Sequence, residues 1–181
     1  MIRVVTLDPI DPTDMAFLTR TLYQAFGLGT EFAGERTLPA GLEGKDGRID
    51  AVRLLREAPA VRSYADDKVV YLTAAPLSLP EGPLGEPPCW GFADYGKDRA
   101  VVTTAHLPVR GVSETSIENY RRRLARETVH VVGHLWDVHH CYDARCAMHP
   151  SWSPSLAANP EMELCSFCRD KSERKIRLAK T

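Results

Sequence analysis

Seven residues in the last third of the 181-residue chain have the types and spacing of metal ligands. His130 and His134 are four apart, so on a helix both imidazoles lie on one face about one turn apart, where they can converge on one ion. His140 follows six residues later and joins them if the helix ends after Trp136 and the chain turns back. Three neutral imidazoles suit a catalytic-type zinc with one open coordination position. Two other ligand sets stay open. If the helix ran on for another turn, Asp137 would share the face of His130 and His134 and give a His-His-Asp site, while His139 is the alternative to His140 in the adjacent register. The second constellation is Cys141-x4-Cys146, eighteen intervening residues, then Cys165-x2-Cys168. Two close pairs of thiols suit a closed, four-thiolate structural zinc, and a reducing compartment favours that over disulfides. Cys89 lies apart, with no paired base, and reads as a small buried apolar residue.

The run from Glu127 to Cys141 (ETVHVVGHLWDVHHC), followed by Cys146-Ala-Met148 and Cys165-Ser-Phe-Cys168, resembles the archaemetzincin signature H-E-x-x-H-x-x-G-x-x-H-C, C-x-M and C-x-x-C. The close likeness covers roughly Glu127 to Cys168. Upstream it rests on element order and on Trp90-Gly-Phe-Ala93, similar to the family's edge strand, which implies that Gly91, Phe92 and Ala93 hold an extended peptide. The resemblance implies that His130, His134 and His140 bind the catalytic zinc, that the four cysteines bind a structural zinc, and that Met148 forms the floor beneath the histidines: two zinc ions per chain. This chain departs from the pattern twice. Val131 occupies the position of the general-base glutamate, in a cleft expected to be open, and valine cannot carry a proton. Asp137 occupies the glycine position where the family chain leaves the helix, and aspartate enters the left-handed region more readily than most residues. Glu127, one turn before His130, is a weak candidate for a replacement base and a candidate acceptor for a histidine N–H.

These residues need a helix, a turn and a sheet edge to position them. Thr115 and Glu118 form a capping-box pattern opening a helix whose apolar positions Ile117, Tyr120, Leu124, Thr128, Val131/Val132 and Leu135 keep the helical period to Trp136. Residues 2 to 7 read as a strand, then Asp11-Pro12 opens a helix that Gly27 stops. Residues 28 to 47 read as a long loop before a short helix at Ile49 to Glu57, and residues 68 to 73 as a second strand. Pro76 to Pro88 reads as an exposed excursion without regular structure; its residues are further candidates to assist catalysis. Two short antiparallel strands are expected about Gly96, and Lys171 to Lys180 as a basic, mostly polar tail in the form of a frayed helix.

Composition sets the remaining bounds. At 44% hydrophobic and 26% charged, the chain can bury one ordinary core, and a net charge of −1 supplies no field favouring nucleic acid or an anionic membrane. The run Arg121, Arg122, Arg123 and Arg126 reads as a solvated helix face. No leader or membrane-spanning stretch is visible, so a cytoplasmic location is expected. The expectation is an α+β (mixed α/β) domain spanning residues 1–181: a small twisted mixed sheet with helices and the active-site helix in about 1–140, and a four-cysteine zinc segment in about 141–181. Its function would be that of an archaemetzincin-like zinc protein, with peptide or protein partners and peptide hydrolysis lost or strongly reduced. The alternatives are an active zinc hydrolase using another carboxylate, and an interaction protein with only the cysteine site filled.

Overall fold

The structure is a computed structural model, and it describes residues 1–44, 46–61, 64, 66–79, 88–105, 107, 110–150 and 162–179. Strand β1 (Ile2–Thr6) hands over to α1 (Pro12–Phe26). Asp11 caps that helix by accepting the Thr13 N–H, Pro12 opens it, and Gly27 closes it at φ 62°. The next segment departs from the expected loop: β2 (Thr30–Glu35) pairs in parallel with β1. Its partner on one side only and the lack of any buried side chain along it explain why no buried alternation marks it.

A two-residue β3 (Ile49–Asp50) leads into α2 (Ala51–Glu57), where Asp50 accepts the N–H groups of Val52 and Arg53. β4 (Lys68–Thr73) lies mid-sheet, buried on both faces, which accounts for its unbroken apolar run. The stretch expected as an exposed excursion instead begins with β5 (Leu77–Ser78), fully buried, and ends with β6 (Pro88–Cys89); residues 80–87 lie outside the described residues. β7 (Gly91–Ala93) and β8 (Arg99–Thr103) pair antiparallel about Gly96, as the sequence suggests.

The main sheet has the order β2-β1-β4-β8-β7, parallel except for β7 at one edge; β3, β5 and β6 form a small second sheet. The architecture is therefore mixed α/β. On one face α1 and α3 (Glu114–Leu135) pack over Val4, Val70, Leu72 and Val102; on the other α2 packs over Val5, Tyr71 and Val101.

Helix α3 begins slightly earlier than its capping-box pattern implies. Ser113 is the cap, accepting the Ser116 N–H at 3.2 Å. The arginine run is not a solvated face either: Arg123 and Arg126 are buried, and Arg121 reaches the buried Asp14, leaving Arg122 paired with Glu118 at the surface. The C-terminal segment is helical, as expected, but the helix begins before residue 171. Helix α4 (Ser166–Ala179) starts inside the last cysteine pair and turns Cys168, Ser172 and Ile176 inward. Among the described residues no helix is long and apolar enough to cross a membrane.

Candidate metal centres

Helix α3 presents His130 and His134 from consecutive turns, and the chain reverses immediately afterwards. Trp136 is the C-cap, Asp137 sits at φ 56°, its N–H reaches His134 O at 2.9 Å, and the Val138 N–H reaches Gly133 O at 3.0 Å. These two bonds define a Schellman motif with aspartate in the left-handed position that glycine usually takes. The reversal brings His140 back, its ring centroid 5.2 Å from that of His130 and 5.0 Å from that of His134. One ligand nitrogen from each of the three lies within 4.8 Å of the others.

The imidazoles are oriented by backbone carbonyls. His130 Nδ1 lies 2.8 Å from Ala147 O, and His134 Nδ1 lies 2.8 Å from Val138 O. With Nδ1–H donating to a carbonyl, each ring keeps its lone pair on Nε2, and the two Nε2 atoms stand 3.0 Å apart. Two lone pairs facing each other in a buried site are the signature of a place for a cation. Burial pushes the conjugate acids down, to about 3 for His130 and about 4 for His134, and His140 is also lowered by burial and by His139, so all three are neutral donors near pH 7.

The other candidates are directed elsewhere. Asp137 Oδ2 bonds to Lys175 Nζ at 2.6 Å and Oδ1 lies 3.5 Å from His139 Nε2, so neither Asp137 nor His139 joins the cluster of three histidines. Glu127 does not supply the partner of His130 Nδ1, which is Ala147 O; its Oε1 lies 3.8 Å from Arg123 Nε. Val131 is not in an open cleft. It is 2% exposed, and a Cβ built on Gly91 would fall 2.8 Å from its Cγ1.

β7 is the sheet edge beside α3, with Gly91 over Val131, Ala93 turned toward the same core and Phe92 toward the opposite one. The Arg123 guanidinium lies 4.7 Å from the Trp90 ring at the head of this strand. Met148 is fully buried against Gly133, on the helix turn between the two histidines.

The four cysteines also converge, each offering a sulfur within 4.8 Å of the rest. Cys141 Sγ and Cys165 Sγ are 3.8 Å apart, far beyond disulfide length. A tetrahedron of zinc–thiolate bonds has edges of about 3.8 Å. Backbone N–H groups point at the sulfurs: Asp143 at Cys141, and both Met148 and Cys165 at Cys146. Burial, with the neighbouring Cys165, holds the Cys146 thiol up at about 11, a cost that a cation among the four sulfurs removes. Cys89 stands outside both clusters, half-buried, its thiol pushed up to about 12 by burial.

Four contributors carry no motif. The carbonyls of Ala147 and Val138 are backbone atoms, which any residue supplies. Tyr95, just past β7, has its ring centroid 4.4 Å from that of His134 and 5.0 Å from that of His139. Lys175 was hidden within a polar run.

Fold and site together define a mixed α/β protein with a three-histidine cluster on a helix beside a sheet edge and a four-cysteine cluster behind it. The fold is that of the archaemetzincins. The archaemetzincin of Methanopyrus kandleri superposes with a TM-score of 0.82 at 23% identity, over 97% of this chain and 94% of that one. That of Archaeoglobus fulgidus, in complex with malonate, gives 0.75 at 19% identity over 94% and 99% of the two chains. A zinc-dependent peptidase from Methanocorpusculum labreanum gives 0.77 at 17% identity over 95% and 100%. In sequence, a curated archaemetzincin of Haloarcula marismortui is 32% identical over 84 residues, 44% of this chain and 49% of that protein, so the match spans about half the length of the curated relative. No family model matches the chain.

Proposed function

We propose that the chain is a zinc-binding member of the archaemetzincin family whose peptide hydrolysis is lost or strongly reduced. The observation that carries the reading is the pair of donor sets: three neutral imidazoles with converging nitrogens and four converging sulfurs, within a fold shared with archaemetzincins. His130, His134 and His140 would hold one zinc, and Cys141, Cys146, Cys165 and Cys168 the other. A zinc held by three imidazoles supplies Lewis-acid polarisation of a peptide carbonyl and activation of water.

The protein's own groups account for binding but not for proton transfer. β7 offers its outer backbone edge to an extended peptide, with Gly91, Phe92 and Ala93 as its register. Peptide hydrolysis needs a group that takes a proton from water and returns one to the leaving nitrogen, and residue 131 is a buried valine. Glu127 and Asp137 face Arg123 and Lys175, respectively, which argues against either as the replacement.

The test is a zinc count with a peptidase assay. Wild type should hold two zinc ions per chain and cleave unstructured peptides poorly, and Val131→Glu should raise cleavage roughly tenfold or more, within the range of general-base catalysis. Wild-type cleavage equal to the variant's, abolished by changing Glu127 or Asp137, would overturn the impaired-enzyme reading in favour of an active hydrolase. One zinc per chain, lost with Cys165→Ser, would favour an interaction protein with only the cysteine site filled.

A further inference from the structure

We propose that Lys175 is a positioning residue for the histidine site, through which the four-cysteine segment sets that site's hold on its metal; this rests on the zinc reading above. The chain between His134 and His140 is the part of the site least determined by regular structure. Its conformation depends on Asp137 adopting φ 56° at the Schellman position. A left-handed backbone is uphill for any residue with a Cβ, less so for aspartate than for most. If Asp137 relaxed to negative φ, Val138 would leave both Gly133 O and His134 Nδ1, and His140 would swing off the other two histidines.

The structure offsets that tendency with a tether. Lys175 Nζ lies 2.6 Å from Asp137 Oδ2, joining positions 38 residues apart in sequence, and the positive charge of Lys171, one turn earlier on α4, also acts on Asp137. The base of the tether is rigid because α4 starts at the last cysteine pair. Cys168 is a member of the four-sulfur cluster, and Cys168, Ser172 and Ile176 bury one side of the helix. Arg169 adds a hydrogen bond from its guanidinium to Gln24 O at 3.3 Å. Metal at the cysteines therefore fixes α4, α4 fixes Lys175, and Lys175 holds the turn that delivers His140. Glycine at 137 would need no such tether, because it occupies the left-handed region without strain.

Cobalt(II) titration of the full chain tests this, with the thiolate charge-transfer band reporting the cysteine site and the ligand-field bands of an imidazole-bound ion reporting the histidine site. Lys175→Met should leave the charge-transfer band unchanged and weaken cobalt at the histidine site about threefold to tenfold, the range open to one partly exposed ion pair acting on one strained residue. Lys175→Arg, which keeps the charge, should restore most of the affinity. The double change Asp137→Gly with Lys175→Met should return it to within about twofold of wild type, because glycine holds the turn alone. Wild-type affinity in Lys175→Met, or a double variant no tighter than Lys175→Met, would overturn the tether while leaving the zinc reading intact. Loss of the charge-transfer band in Lys175→Met would show a general structural role and overturn positioning. A wild-type chain that never loads cobalt at the histidines would overturn the zinc reading itself, and the tether with it.

Discussion

A Cβ on Gly91 would meet Cγ1 of Val131 at 2.8 Å and the carbonyl oxygen of Val101 at 3.0 Å. The edge strand and the helix beneath it thus touch at a point where one residue has no side chain and the other has a compact apolar one. Gly91→Ala should cost about 1–3 kcal/mol in urea unfolding, the usual range for overpacking. Val131→Ala should recover part of that cost in the double variant, because the shortest contact is removed while those with the Val101 carbonyl and Val102 Cγ2 remain. Additive losses would show that the two residues do not press on each other. The same contact bears on Val131→Glu. That variant should gain hydrolysis yet lose about 1–3 kcal/mol of stability when stripped of metal, since its carboxyl enters a buried site.

Replacing Cys165 with serine should release about one zinc equivalent and lower the melting temperature by several degrees, because ligation at this site is coupled to folding. The thiol stands 3.8 Å from Cys141, across the 24-residue separation that the site closes. Unchanged melting and unchanged metal content would refute the assignment.

Gly133→Ala should be more harmful than its helical position implies. In an exposed helix alanine is favoured over glycine by up to about 1 kcal/mol. Here the added Cβ would meet Met148 Sδ at 2.3 Å and Cε at 2.9 Å, and Met148 is fully buried. A net loss of about 1–3 kcal/mol is expected by thermal or urea unfolding. Met148→Ala should mask the loss in the double variant. A stabilising Gly133→Ala would mean that Met148 moves away freely.

Metal-free protein should lose stability as pH falls from about 6.5 towards 4. Burial lowers His130 to about 3 and His134 to about 4, from 6.5 in an unfolded chain. In that window the unfolded chain binds protons that the folded one refuses, so acid favours unfolding. The slope is at most about 1.4 kcal/mol per pH unit for each histidine, less for the coupled pair together than for two independent rings. Urea midpoints measured across the window should rise with pH, and should rise less steeply in His134→Asn. Identical slopes in the two proteins would exclude His134 as a source.

Some of this was legible in the residues and some was not, for physical reasons. The β1–α1 unit could be read because an aspartate cap, a first-turn proline and a terminal glycine each act locally. β2 could not, because an edge strand with exposed side chains has no apolar alternation and takes its conformation from β1. α4 was obscured because its buried side is narrow, Cys168, Ser172 and Ile176 within an otherwise polar run. The ligand spacings stood out because two or three donors must share an ion at fixed distances. The burial of Arg123 and Arg126 depends on what packs over α3, information that sits elsewhere in the chain. The same holds for the Lys175 contact, which joins Asp137 to a helix 38 positions away.

The order of these parts along the chain has a consequence for biosynthesis. A ribosome releases the chain amino end first, at about 5–20 residues per second. The sheet strands and α3, with His130 and His134, are therefore made before α4. During that interval Cys141 and Cys146 are only half of their cluster, and the Asp137 turn has no lysine to grip. Histidine-bound metal at this stage would be held by a turn free to relax. On the zinc reading proposed above, secure loading would wait for the arrival of Cys165, Cys168 and Lys175, after every other ligand has been made.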